Sequence, residues 1–162
     1  MTLRLNESQM TETRKAIVIY DTQFGNTEKI AKALASGIKE QGVQADCVKV
    51  DDVDINKLEE YDLLAIGGPT IAFGASEPIK EFLGKLEGIG LRGKKGFAFD
   101  TKVRFIFSGS AAKAVEGKLK GLGMDIIRPR SSAIVQGKEG PLEEGSEEMF
   151  KQIGREISGS TQ

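Results

Sequence analysis

One pattern repeats from Lys15 to about residue 158: a short run rich in Val, Ile and Phe, then a longer stretch whose apolar residues recur three and four apart. Continuous short runs suit parallel strands covered on both faces, and parallel strands need right-handed crossovers. The sequence therefore predicts an α/β fold with a doubly wound parallel sheet. The run at residues 16–20 (AIVIY) is expected at the centre of that sheet. Ile30, Ala33, Leu34, Gly37 and Ile38 then make one helix stripe that ends near Gly42, and residues 43–50 and 61–67 read as the second and third strands. Ser76 and Pro78 suit the start of a helix that buries Ile79, Phe82, Leu83 and Leu86. Residues 96–99 begin a fourth strand. Ser108 or Ser110 opens the next helix, with Ala111, Ala114, Val115, Leu119 and Leu122 inward. Residues 124–127 form a fifth strand, interrupted at Pro129 and continued by 131–135, before a last helix carrying Met149, Phe150, Ile153 and Ile157. Residues 1–14 read as a flexible polar arm, 15–158 as a single domain and 159–162 as a tail.

Composition removes several function classes. The chain has no histidine, so Ser-His-Asp and Cys-His catalysis and every His-containing metal site are excluded. Lys plus Arg number 23 against 24 Asp plus Glu, a balance that draws the protein onto neither nucleic acid nor acidic lipid. The lone Cys47 can form no internal disulfide, and no apolar window approaches membrane-spanning length. A cytoplasmic protein without nucleic-acid or membrane partners is expected. Asp51, Asp52 and Asp54 read as a solvated connection rather than a metal site. The segment Gly88-Ile89-Gly90-Leu91-Arg92-Gly93 matches a dinucleotide fingerprint literally, but it follows a helix and opens a strand, the reverse of what that motif requires.

In open α/β sheets ligands bind beyond the carboxyl ends of the strands. The first such loop runs Asp21-Thr22-Gln23-Phe24-Gly25-Asn26-Thr27 directly into a helix. Two readings fit it. Hydroxyls, an amide and the free N–H groups of a helix start make an anion cradle without any Lys or Arg, or the segment is an ordinary βα turn capped by Asn26 or Thr27.

The T-x-x-G-N-T loop in YDTQFGNTEKIAKAL, at its distance from YDLLAIGGPT after the third strand, resembles the flavodoxin family, and the likeness spans residues 15 to about 158. The resemblance implies a flavodoxin-like three-layer αβα sandwich with a five-stranded parallel sheet of order 2-1-3-4-5. Phe24 makes the first loop look more like the flavodoxin modules of flavo-diiron electron-transfer proteins, although their metal-binding domain is not expected here. By the same resemblance FMN is the cofactor. Thr22, Gln23, Phe24, Gly25, Asn26 and Thr27 would cradle its phosphate, and Glu28 would point away. Pro69, Thr70, Ile71, Ala72, Phe73 and Gly74 would form the second flavin loop, with Phe73 stacking on the ring or packing as core beneath it. A peptide there reorients in the family as the flavin is reduced, and Gly74 is the expected hinge because glycine tolerates positive φ.

The third loop departs from the family, because residues 100–107 read Asp-Thr-Lys-Val-Arg-Phe-Ile-Phe and the chain's only two Tyr lie elsewhere, with no Trp. Alternating Val103, Phe105 and Phe107 suit a longer strand as well as a loop. As a loop it would bring Asp100, Thr101, Lys102 and Phe105 to the flavin, Phe105 on the outer face, while Lys102 and Arg104 would favour the anionic reduced ring. The implied function is an electron carrier between a reductase and an acceptor protein, monomeric or weakly dimeric. The alternatives are an NAD(P)H-dependent FMN or quinone reductase and a scaffold that has lost flavin.

Overall fold

The computed structural model describes residues 13–105 and 109–159. Most of the expected arm, the end of the tail, Phe107 and Ser108 lie outside the described residues. Thr13 and Arg14, assigned to the arm, belong to the fold instead: the Arg14 N–H donates to Asp62 Oδ2 at 2.9 Å, and Thr13 Oγ1 accepts from Lys95 Nζ at 3.0 Å.

The strands are β1 (Lys15–Tyr20), β2 (Gln44–Lys49), β3 (Leu63–Ile71), β4 (Gly74–Ala75), β5 (Lys95–Val103), β6 (Asp125–Ile126) and β7 (Ser131–Val135). The helices are α1 (Asn26–Glu40), α2 (Glu77–Gly84), α3 (Ala111–Gly121) and α4 (Ser146–Ser158). Parallel pairing runs β2-β1-β3-β5, and β6 and β7 both pair with β5. The last two are one broken strand around Pro129, so the principal order is 2-1-3-4-5 as expected. β1 is interior but not central; β3 holds that place. Strand β3 also runs four residues past its expected end and folds back on β4 as an antiparallel hairpin.

Period-two alternation sends each strand's apolar residues to both faces. Ile17, Ile19, Leu64, Ile66 and Ala98 pack with Ile79, Phe82, Val115 and Leu119 of α2 and α3. On the other face Val18, Leu63, Ala65, Phe97 and Phe99 pack with Ile30, Leu34, Ile38, Phe150 and Ile153 of α1 and α4. Burying each of the Val, Leu, Ile and Phe side chains contributes about 1.5–3 kcal/mol, which is why both helix layers hold. Ala114 and Met149 are exposed, against expectation; Ala112 takes the inward place on α3. Cys47 is half-buried on the β2 edge, and burial pushes its thiol up to about 11, so it is not an activated nucleophile.

The break between β6 and β7 is braced by Glu116 of α3. Its buried carboxylate accepts from the Arg130 N–H at 2.9 Å and from the Arg130 guanidinium at 3.0 Å. Burial alone would raise the Glu116 pKa, but these hydrogen bonds and the Lys120 charge outweigh it and hold the group below the usual carboxylate range. A folded-state pKa below the unfolded one contributes stability that is present above the unfolded value and lost as pH falls through the folded one. Glu116→Ala is therefore expected to cost about 1–3 kcal/mol at neutral pH by stranding the Arg130 N–H. Urea melts should show that deficit shrinking as pH falls below about 4, where glutamate in the unfolded chain begins to protonate while the folded carboxylate is still ionised.

Candidate functional site

The carboxyl ends of β1, β3 and β5 open onto a cavity of about 510 Å³, within the usual range for small-molecule sites. Thr22, Gln23, Phe24, Asn26 and Thr27 line one wall, and Pro69, Thr70, Ile71, Ala72 and Phe73 another. Thr101, Lys102 and Phe105 come from β5 and the residues after it. Gly25, Gly74 and Asp100, expected to touch the ligand, do not line the cavity. Val103, Val135 and Lys138 line it without having been anticipated.

The first wall is built by the entry into α1. Gly25 occupies the N-cap at φ 90°, a left-handed conformation that favours glycine, and its N–H donates to Thr22 Oγ1 at 2.9 Å. Neither Asn26 nor Thr27 is the cap. Asn26 instead donates from Nδ2 to the Glu139 carbonyl at 3.1 Å, and Thr27 Oγ1 shares a 2.8 Å hydrogen bond with Thr101 Oγ1. The first helical bond runs from the Lys29 N–H to the Gly25 carbonyl at 3.2 Å, so the amides of Asn26, Thr27 and Glu28 precede it and face outward from the helix end. Glu28 is turned away as expected, accepting from Tyr20 Oη at 3.1 Å and pairing with Lys32 at 3.1 Å. Burial and the Glu28 carboxylate push the Tyr20 phenol up to about 12, so it stays a proton donor to that carboxylate at physiological pH. An anion at this wall meets donors and no carboxylate.

The second wall is the β3–β4 hairpin. Its two turn residues, Ala72 and Phe73, have φ of 48° and 72°, both in the left-handed region that a two-residue hairpin turn requires. Gly74 is not in that region; the positive-φ backbone belongs to the two residues before it. Phe73 is 70% exposed, which removes the reading of it as core and leaves its ring at the mouth. The hairpin is fastened from below. Thr70 Oγ1 donates to Asp100 Oδ2 at 3.1 Å and accepts from the Ala111 N–H at 2.9 Å. Asp100 Oδ2 also accepts from Ser110 Oγ at 2.7 Å and the Ala112 N–H at 3.0 Å. Asp100 is thus a fully buried brace, and among the described residues its Oδ1 is a buried oxygen without a hydrogen-bond partner.

Residues 100–103 continue β5, which resolves the loop-or-strand alternative in favour of strand up to Val103. Lys102 lines the cavity. Arg104 does not, because its guanidinium is held by Glu143 with contacts of 2.5, 2.7 and 3.1 Å. The expectation that both cations face the ligand is corrected accordingly. Phe24, Phe73 and Phe105 are exposed around the mouth, so the opening is apolar and aromatic although neither Tyr nor Trp lines it.

Val103 was visible in the strand alternation. Val135 and Lys138 arrive through pairing of β7 with β5 and through the Asn26 contact to Glu139, neither of which has a local sequence signal.

The family model described as Flavodoxin matches residues 18–153. A type A flavoprotein of Rhodobacter capsulatus is 33% identical over 134 residues, covering 80% of this chain and 30% of that protein. A flavo-diiron protein of Clostridium acetobutylicum is 32% identical over 128 residues, 75% of this chain and 31% of its own length. The solved structure of a flavodoxin from the domain Archaea superposes with a TM-score of 0.78 at 25% identity, covering 91% of this chain and 98% of that one. The chain spans about a third of the length of these two curated relatives. Among the described residues no helix is long and apolar enough to cross a membrane.

Proposed function

Because the chain belongs to the flavodoxin family, whose cofactor is FMN, we propose that it carries electrons between redox proteins in the cytoplasm, as a monomer or weak dimer. The observation that carries this reading is the cavity itself: outward amides of a helix start on one side, an apolar slot on the other, and no carboxylate among its lining residues. That donor set fits a planar ring ending in a phosphate. Bound FMN supplies reversible one- and two-electron chemistry. The amides of Asn26, Thr27 and Glu28, with the Thr22 side of the loop, bind the phosphate. Ile71, Ala72, Phe73, Val103 and Phe105, the apolar part of the lining, would hold the ring. Asp100 and Gly25 act from outside the contact shell, the first by holding Thr70 and the second by setting the loop's turn. The exposed Phe24, Phe73 and Phe105 leave the mouth open to a partner.

The purified protein is expected to be yellow and to release, on heating or acid treatment, a chromophore with the mass of FMN. Its flavin should be reduced through a separate reductase. A colourless protein whose apo form shows no heat with FMN would end the flavin reading. Steady NADPH consumption with a quinone by the holoprotein alone would replace the carrier with a reductase.

A further inference from the structure

The first loop contains no Lys or Arg, yet the cavity it helps to form does contain cations: Lys102 and Lys138. Lys138 lies on the turn after β7. That turn closes through the Gly140 N–H donating to the Gly137 carbonyl at 3.0 Å and the Gln136 N–H to the Pro141 carbonyl at 2.9 Å. Asn26 hooks the turn onto the start of α1 through its 3.1 Å bond to the Glu139 carbonyl, and a Cβ at Gly140 would lie 3.0 Å from the Asn26 amide. The same contact that removes Asn26 from the cap therefore holds the turn carrying Lys138 beside the start of α1, and Lys138 lines the cavity. Glu139 contributes its carbonyl, not its carboxylate, and is not among the lining residues. Among the described residues Lys138 has no ion-pair partner within 4.0 Å.

We propose that Lys138 is the counter-ion of the flavin phosphate and makes the site selective for FMN over riboflavin. The inference rests on the flavin reading above and corrects the expectation that the phosphate is held by neutral donors alone. A partly exposed ammonium beside a dianion adds a salt-dependent increment to affinity, while the ring contacts are shared by both flavins.

The test uses apoprotein freed of flavin and titrated with FMN and with riboflavin, read by quenching of flavin fluorescence. Lys138→Gln is expected to weaken FMN binding about tenfold and leave riboflavin binding unchanged, and Lys138→Arg to restore most of the loss. Raising NaCl should bring wild-type FMN affinity toward that of Lys138→Gln, and inorganic phosphate should compete with FMN more effectively in the wild type. Lys57→Gln, which removes the same charge outside the cavity, should change neither flavin. An FMN-to-riboflavin ratio unaltered by Lys138→Gln, or an equal loss of both flavins, overturns the proposal while leaving the flavin reading intact. A wild-type apoprotein that binds neither flavin instead removes the reading, and the inference with it.

Discussion

Replacing Gly154 with alanine is expected to destabilise the protein by about 1–3 kcal/mol, whereas the same change at Gly117 should stabilise it by about 0.5–1 kcal/mol. Both glycines lie inside helices, so helix propensity favours alanine equally at each. Their surroundings decide the sign. A Cβ at Gly117 has nothing within 4 Å, but one at Gly154 would overlap the Leu34 carbonyl oxygen and lie 2.9 Å from the Ile38 nitrogen. Gly37 mirrors it, its added Cβ overlapping the Lys151 carbonyl. The obstacles are backbone atoms, which no rotamer change can move, so α1 and α4 must separate and loosen Leu34, Ile38, Phe150 and Ile153. Urea midpoints of Gly154→Ala, Gly154→Val and Gly117→Ala measure this, with valine at 154 the worst. FMN affinity should fall in the Gly154 variants, because α1 carries the outward amides. A neutral Gly154→Ala would show that the helices do not cross this closely.

Lys102→Gln is expected to move the potential of the second flavin reduction tens of millivolts more negative, and Arg104→Gln to move it far less. The fully reduced ring is an anion, which a nearby cation favours. A unit charge about 6 Å away at an effective dielectric of about 20 is worth roughly 2.8 kcal/mol, or on the order of 120 mV for one electron. That value is a ceiling, because Lys102 is partly exposed and salt screens it. Lys102 lines the cavity, while Arg104 points to Glu143 and is largely neutralised there. Potentiometry at low and high ionic strength separates the two: the Lys102 shift should shrink as salt rises. Equal shifts for both variants would mean that Arg104 leaves Glu143 when flavin is bound.

The layers of this fold were legible because strand and helix periods are local. The unbroken AIVIY run, the stripe through Ile30, Leu34 and Ile38, and the Pro129 break each state their own geometry. The candidate site was legible as far as its loops follow strands. What escaped was set by tertiary contact. Nothing in GGPTIAFG tells that Ala72 and Phe73, rather than a glycine, take positive φ; strand pairing of Thr70 with Ala75 imposes it. Asn26 has the right chemistry for a cap, but a carbonyl far along the chain claims it. Asp100 stood in a plausible contact position, yet the start of α3 draws its carboxylate beneath the wall.

Helix ends usually fray because their first amides belong to no one. At the start of α3 the Lys113 amide donates to Ser110, the helix's own cap, but the amides of Ala111 and Ala112 donate to Thr70 of β3 and Asp100 of β5. Hydrogen exchange of those two therefore cannot proceed by peeling one turn; solvent deuterium reaches them only when β3, β5 and the helix part together. The far side of the cavity should open as a single cooperative unit, and these amides are a native clock for that event.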